Sequence, residues 1–93
     1  MQKYRIDITK EAEKRMDKKL NREQLRRFAN KLEKLENFPD VYGKPLRYPL
    51  SGIWEFYFEG KFRALYEIDY ESKIVRILTI KHKDEMAKLR PSL

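Results

Sequence analysis

Cysteine is absent from these 93 residues, which removes both a disulfide framework and a thiolate metal site. Histidine occurs once, at position 82, and no carboxylates cluster in the sequence, so a transition metal would find too few ligands. No metal and no cofactor is expected. The three glycines, at positions 43, 52 and 60, are scattered and form no phosphate-cradling loop. Ser51 precedes a glycine but has no histidine near it in sequence to make it a nucleophile. Apolar runs last only a few residues, so no membrane span is expected. Met1-Gln2-Lys3-Tyr4-Arg5 leads straight into alternating sequence without the apolar stretch of a secretory signal. These absences fit a reducing, cytoplasmic setting.

What the chain does have is aromatic and basic residues. Hydrophobic content of 41% includes twelve aromatics, enough for one packed core, and the length suits one small domain spanning 1–93. The formal net charge is +7 with a pI near 9.7. Twelve Lys and Arg stand against seven acids in residues 1–37, a balance of +5, and the remainder carries +2. Such a surface suits an anionic partner, nucleic acid or an acidic protein segment, and equally an ordinary solvated exterior.

Tyr4-Arg5-Ile6-Asp7-Ile8 alternates with period two and reads as a first strand. Thr9 is placed to cap a helix carrying Glu11 and Glu13 in its first turn. Ala12, Met16 and Leu20 repeat on one side of it. Asn21 with Gln24 three residues on forms a second start, a capping box. Leu25, Phe28, Ala29, Leu32 and Leu35 then share a face, and Asn37-Phe38-Pro39 stops the helix. The two helices form an αα-hairpin whose apolar sides cover a sheet. Residues 40–45 read as a loop, and Pro49 keeps the following segment out of a central strand.

Ser51–Asp69 holds two alternating aromatic-rich runs separated by Glu59-Gly60. A positive φ at Gly60 in a three-residue bulged turn pairs Phe58 with Phe62. Trp54, Phe56, Phe58, Phe62, Ala64, Tyr66 and Ile68 then share one face. Glu55, Tyr57, Glu59, Lys61, Arg63, Leu65, Glu67 and Asp69 share the other, expected to be solvated. A two-residue turn would split the aromatics between faces, so the bulged register is expected. Ile74–Ile80 is apolar on both sides and reads as a central strand. A short terminal turn or helix to Leu89 follows it. The fold class is α+β, in the order β-α-α-β-β-β, with an αα-hairpin packed on a mainly antiparallel twisted sheet.

The polar face carries Arg63 at mid-strand. A buried arginine must reach water, an acid or a ligand; a cross-strand pair with Glu55 or Glu67 and a bound phosphate are the two outcomes weighed. Lys61 lies near the start of the same strand, Lys81, His82 and Lys83 leave the last strand, and Lys44 and Arg47 approach from the loop. Metal-free RNA cleavage needs a group that activates the ribose 2′-hydroxyl, one that stabilises the phosphorane and one that protonates the leaving oxygen. Arginine suits the second task, and histidine or lysine suits proton transfer.

Three strings in order, Lys44-Pro45-Leu46-Arg47-Tyr48-Pro49-Leu50-Ser51-Gly52-Ile53-Trp54, then Gly60-Lys61-Phe62-Arg63-Ala64-Leu65-Tyr66-Glu67-Ile68-Asp69, then Ile77-Leu78-Thr79-Ile80-Lys81-His82-Lys83, resemble the RelE/ParE toxin superfamily. So does the opening Tyr4–Ala12, and the resemblance covers almost the whole chain. It implies a type II toxin–antitoxin toxin with a cognate antitoxin as partner. It further implies a ribosome-dependent endoribonuclease that cuts messenger RNA in the A site by 2′-hydroxyl attack. The ParE-like alternative inhibits DNA gyrase instead, and a third reading is a catalytically weak RNA- or ribosome-binding member. By position, Arg63 matches the family's phosphate-binding arginine, and His82-Lys83 matches its His-Arg pair; these three are the catalytic candidates. Lys44, Arg47, Lys61, Lys81 and Tyr57 are the RNA-binding candidates. The chain departs from the pattern at Glu55 and Tyr57, where basic residues are common, and at Met86 and Ala87, where a tyrosine is.

Overall fold

A computed structural model describes residues 3–86. In chain order the elements are β1 (Arg5–Ile8), α1 (Lys10–Lys19), α2 (Arg22–Asn37), β2 (Lys44–Pro45), β3 (Trp54–Phe58), β4 (Phe62–Asp69), β5 (Ile74–His82) and α3 (Lys83–Met86). The sheet order is β1-β5-β4-β3-β2. Only the β1–β5 pairing is parallel; the other three are antiparallel. The expectation of a segment reaching Leu89, and the comparison made at Ala87, lie outside the described residues. No helix among the described residues is long and apolar enough to cross a membrane.

Both helix starts form as their side chains dictate. The Thr9 hydroxyl accepts from the Ala12 N–H at 3.1 Å and donates to the Leu78 carbonyl at 2.8 Å, so one side chain caps α1 and ties it to β5. Asn21 and Gln24 exchange side-chain-to-backbone bonds of 2.8 and 3.0 Å, a complete capping box. The apolar sides of α1 and α2 supply Ala12, Leu20, Phe28 and Leu35 to the core. The sheet supplies Phe56, Phe58, Phe62, Ala64, Tyr66, Val75, Ile77 and Ile80.

The hairpin adopts the expected register, Phe58 opposite Phe62 and Tyr57 opposite Arg63. Its turn needs more than glycine freedom alone: Glu59 and Gly60 both take positive φ, 58° and 68°. The Glu59 carboxylate also grips Arg27 of α2 through two bonds of 2.7 and 2.9 Å. The Arg27 hydrogen bond draws the Glu59 carboxyl below the usual carboxylate range. The hairpin tip is thereby clamped to the helix layer, and Glu59 is turned away from the open face to which the pattern assigned it.

Two features correct the sequence reading. Lys44-Pro45, read as loop, is a short edge strand, Lys44 opposite Glu55 and Pro45 opposite Trp54; proline is tolerated there because an edge leaves its missing N–H without consequence. The second is a register shift between Leu65 and Tyr66 against β5: Leu65 faces Thr79 while Tyr66 faces Ile77. The extra residue, Leu78, reverses the alternation of β5. Val75 and Ile77 can therefore face the core together with Ile80, while Thr79 and Lys81 turn to the open side. That is why the strand looked apolar on both faces.

Gly43 marks the tightest approach. A Cβ built there falls 1.8 Å from the Tyr66 hydroxyl and 2.9 Å from the Glu55 carbonyl oxygen. The Tyr66 hydroxyl donates to the Pro39 carbonyl at 2.6 Å, and burial raises its pKa. A methyl at 43 displaces this buried bond. Gly43→Ala is expected to cost about 1–3 kcal/mol, the usual penalty of overpacking, read as a lower midpoint in chemical denaturation.

Candidate functional site

On the face of the sheet away from α1 and α2, side chains line up in rows set by the strand register. One row runs Tyr57, Arg63, Lys81 across β3, β4 and β5; the next runs Lys44, Glu55, Leu65, Thr79 across β2 to β5. Arg63 therefore stands between an aromatic ring and a second cation, with a carboxylate on the diagonal. Its guanidinium lies 4.6 Å from the Tyr57 ring centroid, a distance at which a cation is drawn to the ring face. Tyr57 is 50% exposed, so the ring keeps one side for solvent or ligand.

Glu55 is buried rather than solvated, and of the two acids weighed as partners for Arg63 it is the one that pairs. Arg63 Nη1 donates to Glu55 Oε2 at 3.4 Å. This is a single long contact, not the bidentate fork that an arginine and a carboxylate form when unconstrained. Arg63 Nε is buried and has no hydrogen-bond partner. Among the described residues, then, the guanidinium is oriented by Tyr57 and Glu55 but its five donors are far from used. Glu67 pairs with Arg76 at 3.3 Å instead, one strand further toward β1.

The other expected residues divide. Lys81 joins Arg63 directly as its cross-strand neighbour. Lys44 enters through the unforeseen edge strand, opposite Glu55. Arg47 is exposed in the loop that leaves β2 and returns beside β3, closed by a bond of 2.8 Å from the Leu46 N–H to the Ile53 carbonyl. Lys61 is exposed on the hairpin turn, and its carbonyl accepts the Lys83 N–H at 2.8 Å. That bond fixes the start of α3 at the same end of the sheet as Lys61. His82 stands apart from this row. It pairs with Phe62 across the strands, and its ring meets the Phe62 ring edge-on at 5.8 Å. Phe62 faces the helices, so His82 belongs to the opposite side of the sheet from Arg63. Its Nδ1 accepts the Asp84 N–H at 3.2 Å.

Sequence reasoning weighed Glu55 only as an ion-pair partner for Arg63 and otherwise took it as wet, because alternation alone labels it so. The signal was its position: the bulged register sets it one row from Arg63, within diagonal reach.

The chain was compared with known proteins. The family model for the ParE toxin of the type II toxin–antitoxin system parDE matches residues 6–87. No curated protein matches significantly. Among solved structures, a chain of the RelBE2 toxin–antitoxin complex of Mycobacterium tuberculosis is 34% identical, with a TM-score of 0.71 over 88% of this chain and 93% of that one. A chain of the archaeal RelE–RelB complex of Pyrococcus horikoshii is 23% identical, with a TM-score of 0.69 over 86% and 94%. A doubly substituted RelE toxin of E. coli in the free state is 18% identical, with a TM-score of 0.76 over 94% and 90%; these last two likenesses are of fold alone. With a family model spanning nearly the whole chain and a relative above 30% identity, the chain belongs to the RelE/ParE superfamily of type II toxin–antitoxin toxins.

Proposed function

We propose that this toxin is a ribosome-dependent messenger-RNA endonuclease that cleaves by attack of the ribose 2′-hydroxyl on the adjacent phosphorus. The observation that carries the reading is the row Tyr57–Arg63–Lys81 on the open face of the sheet. It gathers a planar stacking surface, a fork that binds phosphate in two places and a second cation within one strand spacing. Arg63 takes the scissile phosphate and stabilises the charge that builds on it. Tyr57 stacks a neighbouring base. Lys81 lies on the leaving-group side. Lys44, Arg47, Lys61 and Lys83, all exposed at the margins, hold the flanking backbone. Its partner is a cognate antitoxin, by likeness to the M. tuberculosis chain solved in a toxin–antitoxin complex.

The second reading, gyrase inhibition, is favoured by the family model itself, which is that of ParE. The two separate in parallel assays with purified toxin. Cleavage of messenger RNA on programmed ribosomes, with supercoiling by gyrase unchanged, is the expected result. Inhibited supercoiling with intact RNA would establish the rival.

A further inference from the structure

We infer that Glu55 is the general base of this toxin, the group that accepts the 2′-hydroxyl proton. The inference rests on the reading of the chain as an RNA endonuclease and deepens it. With His82 on the helix side of the sheet beside Phe62, the acceptors nearest Arg63 are those of the open face. The side chains around Arg63 there are Tyr57, Lys81, Glu55, Leu65 and Thr79. Of these, only a carboxylate is a proton acceptor in its ordinary ionised form at neutral pH; a phenol and an ammonium both hold their protons.

Glu55 also has the wrong environment for a purely structural acid. Its side chain is 8% exposed, and among the described residues its one ion-pair partner is Arg63, through a contact of 3.4 Å. Withdrawing a carboxylate from water is costly unless charge-assisted bonds replace the lost hydration, and one long contact replaces little of it. A substrate hydroxyl supplies the missing donor. The charged groups that face Glu55 are Arg63 from β4 and Lys44, its cross-strand neighbour, from β2. Both are cations.

The placement follows from the ion pair. A phosphodiester held on the free donors of Arg63 sits beside the carboxylate that Nη1 already contacts, and the 2′-oxygen is adjacent to the phosphorus it attacks. The 2′-hydroxyl proton passes to Glu55 as O2′ bonds to phosphorus. The bond from phosphorus to O5′ breaks, and the departing oxygen takes a proton from the Lys81 ammonium. The products are a 2′,3′-cyclic phosphate and a 5′-hydroxyl end. Solvent then takes the proton from Glu55 and returns one to Lys81. No oxidant, reductant or further reactant is needed.

The test is Glu55→Gln, which keeps the shape and removes the basic oxygen, with Glu67→Gln as the matched change on the same face. Ribosome-primed cleavage by Glu55→Gln is expected to fall about 100-fold in kcat, the lower end of what a general base contributes. KM, and binding of a 2′-deoxy substrate analogue, should stay near those of the wild type. A fall of activity toward acid pH is expected in the wild type and should vanish in the variant, a change that a structural role would not produce. Glu67→Gln should cleave normally. Unchanged or faster cleavage by Glu55→Gln would overturn the inference, the latter showing that the carboxylate only masks Arg63. Should Glu55→Gln melt early, Glu55→Asp decides: it keeps the charge and the acid limb if Glu55 is the base. Failure of the wild type to cleave at all would instead remove the endonuclease reading.

Discussion

Arg63→Ala is expected to lower messenger-RNA cleavage by roughly a thousandfold, the loss seen when a preorganised donor to a developing charge is removed. No neighbour can replace it. Lys81 stands opposite, but an ammonium is a point charge, without the fork that matches two phosphate oxygens. The variant carries a second consequence. Glu55, with its side chain 8% exposed, loses its ion-pair partner, and a buried group left unsatisfied costs about 1–3 kcal/mol. Loss of activity therefore has to be read beside a melting curve. Arg63→Lys separates the two effects, since it returns a cation to Glu55 without the fork: its stability should recover most of the loss while its cleavage stays well below wild type. Growth inhibition on induction is the simplest readout in cells, and undiminished toxicity of Arg63→Ala would remove Arg63 from the site.

The two halves of this site were unequally legible. The Phe58–Phe62 register was readable because a single choice of turn puts seven apolar side chains on one face, and every alternative costs burial. That register alone makes Tyr57 and Arg63 neighbours. The β4–β5 pairing was not readable, since β5 is apolar on both sides and its alternation gives no phase. The extra residue at Leu78 decides which of Lys81 and His82 reaches Arg63, and the bulge puts Lys81 there. Motif position counts residues along the chain and carries no information on which way each side chain points. Lys44 was hidden for another reason. A strand of two residues containing a proline has no periodicity to detect, and it forms because β3 offers it an unpaired edge. Glu55 fell between these cases, correctly placed but wrongly taken as wet.

Phe28→Ala is expected to cost about 3–5 kcal/mol, the range for removing a fully buried aromatic ring. Phe28 is 0% exposed. Its ring stacks on Phe56 with centroids 5.7 Å apart and meets Phe58 edge-on at 5.3 Å. These two aromatics alternate along β3 with Glu55 and Tyr57, so one strand carries the core on one side and the site on the other. The cavity cannot close easily, because Asn21 and Gln24 fix the start of α2 and Arg27, the residue before Phe28, is itself tied to Glu59 at the hairpin tip. Against a total of roughly 5–15 kcal/mol for a domain, such a loss leaves a sizeable unfolded fraction at growth temperature. Chemical denaturation should show the lower midpoint. Phe38→Ala, a ring 45% exposed beside Tyr42, should lose far less. Cleavage by Phe28→Ala should fall with temperature more steeply than that of the wild type, since fewer molecules hold β3 in place. Antitoxin should restore much of the melting temperature, as any ligand that binds only the folded state does. Equal midpoints for Phe28→Ala and Phe38→Ala would mean that α2 does not hold the sheet from behind, and the row on its far side would then lack the rigid support that a preorganised site requires.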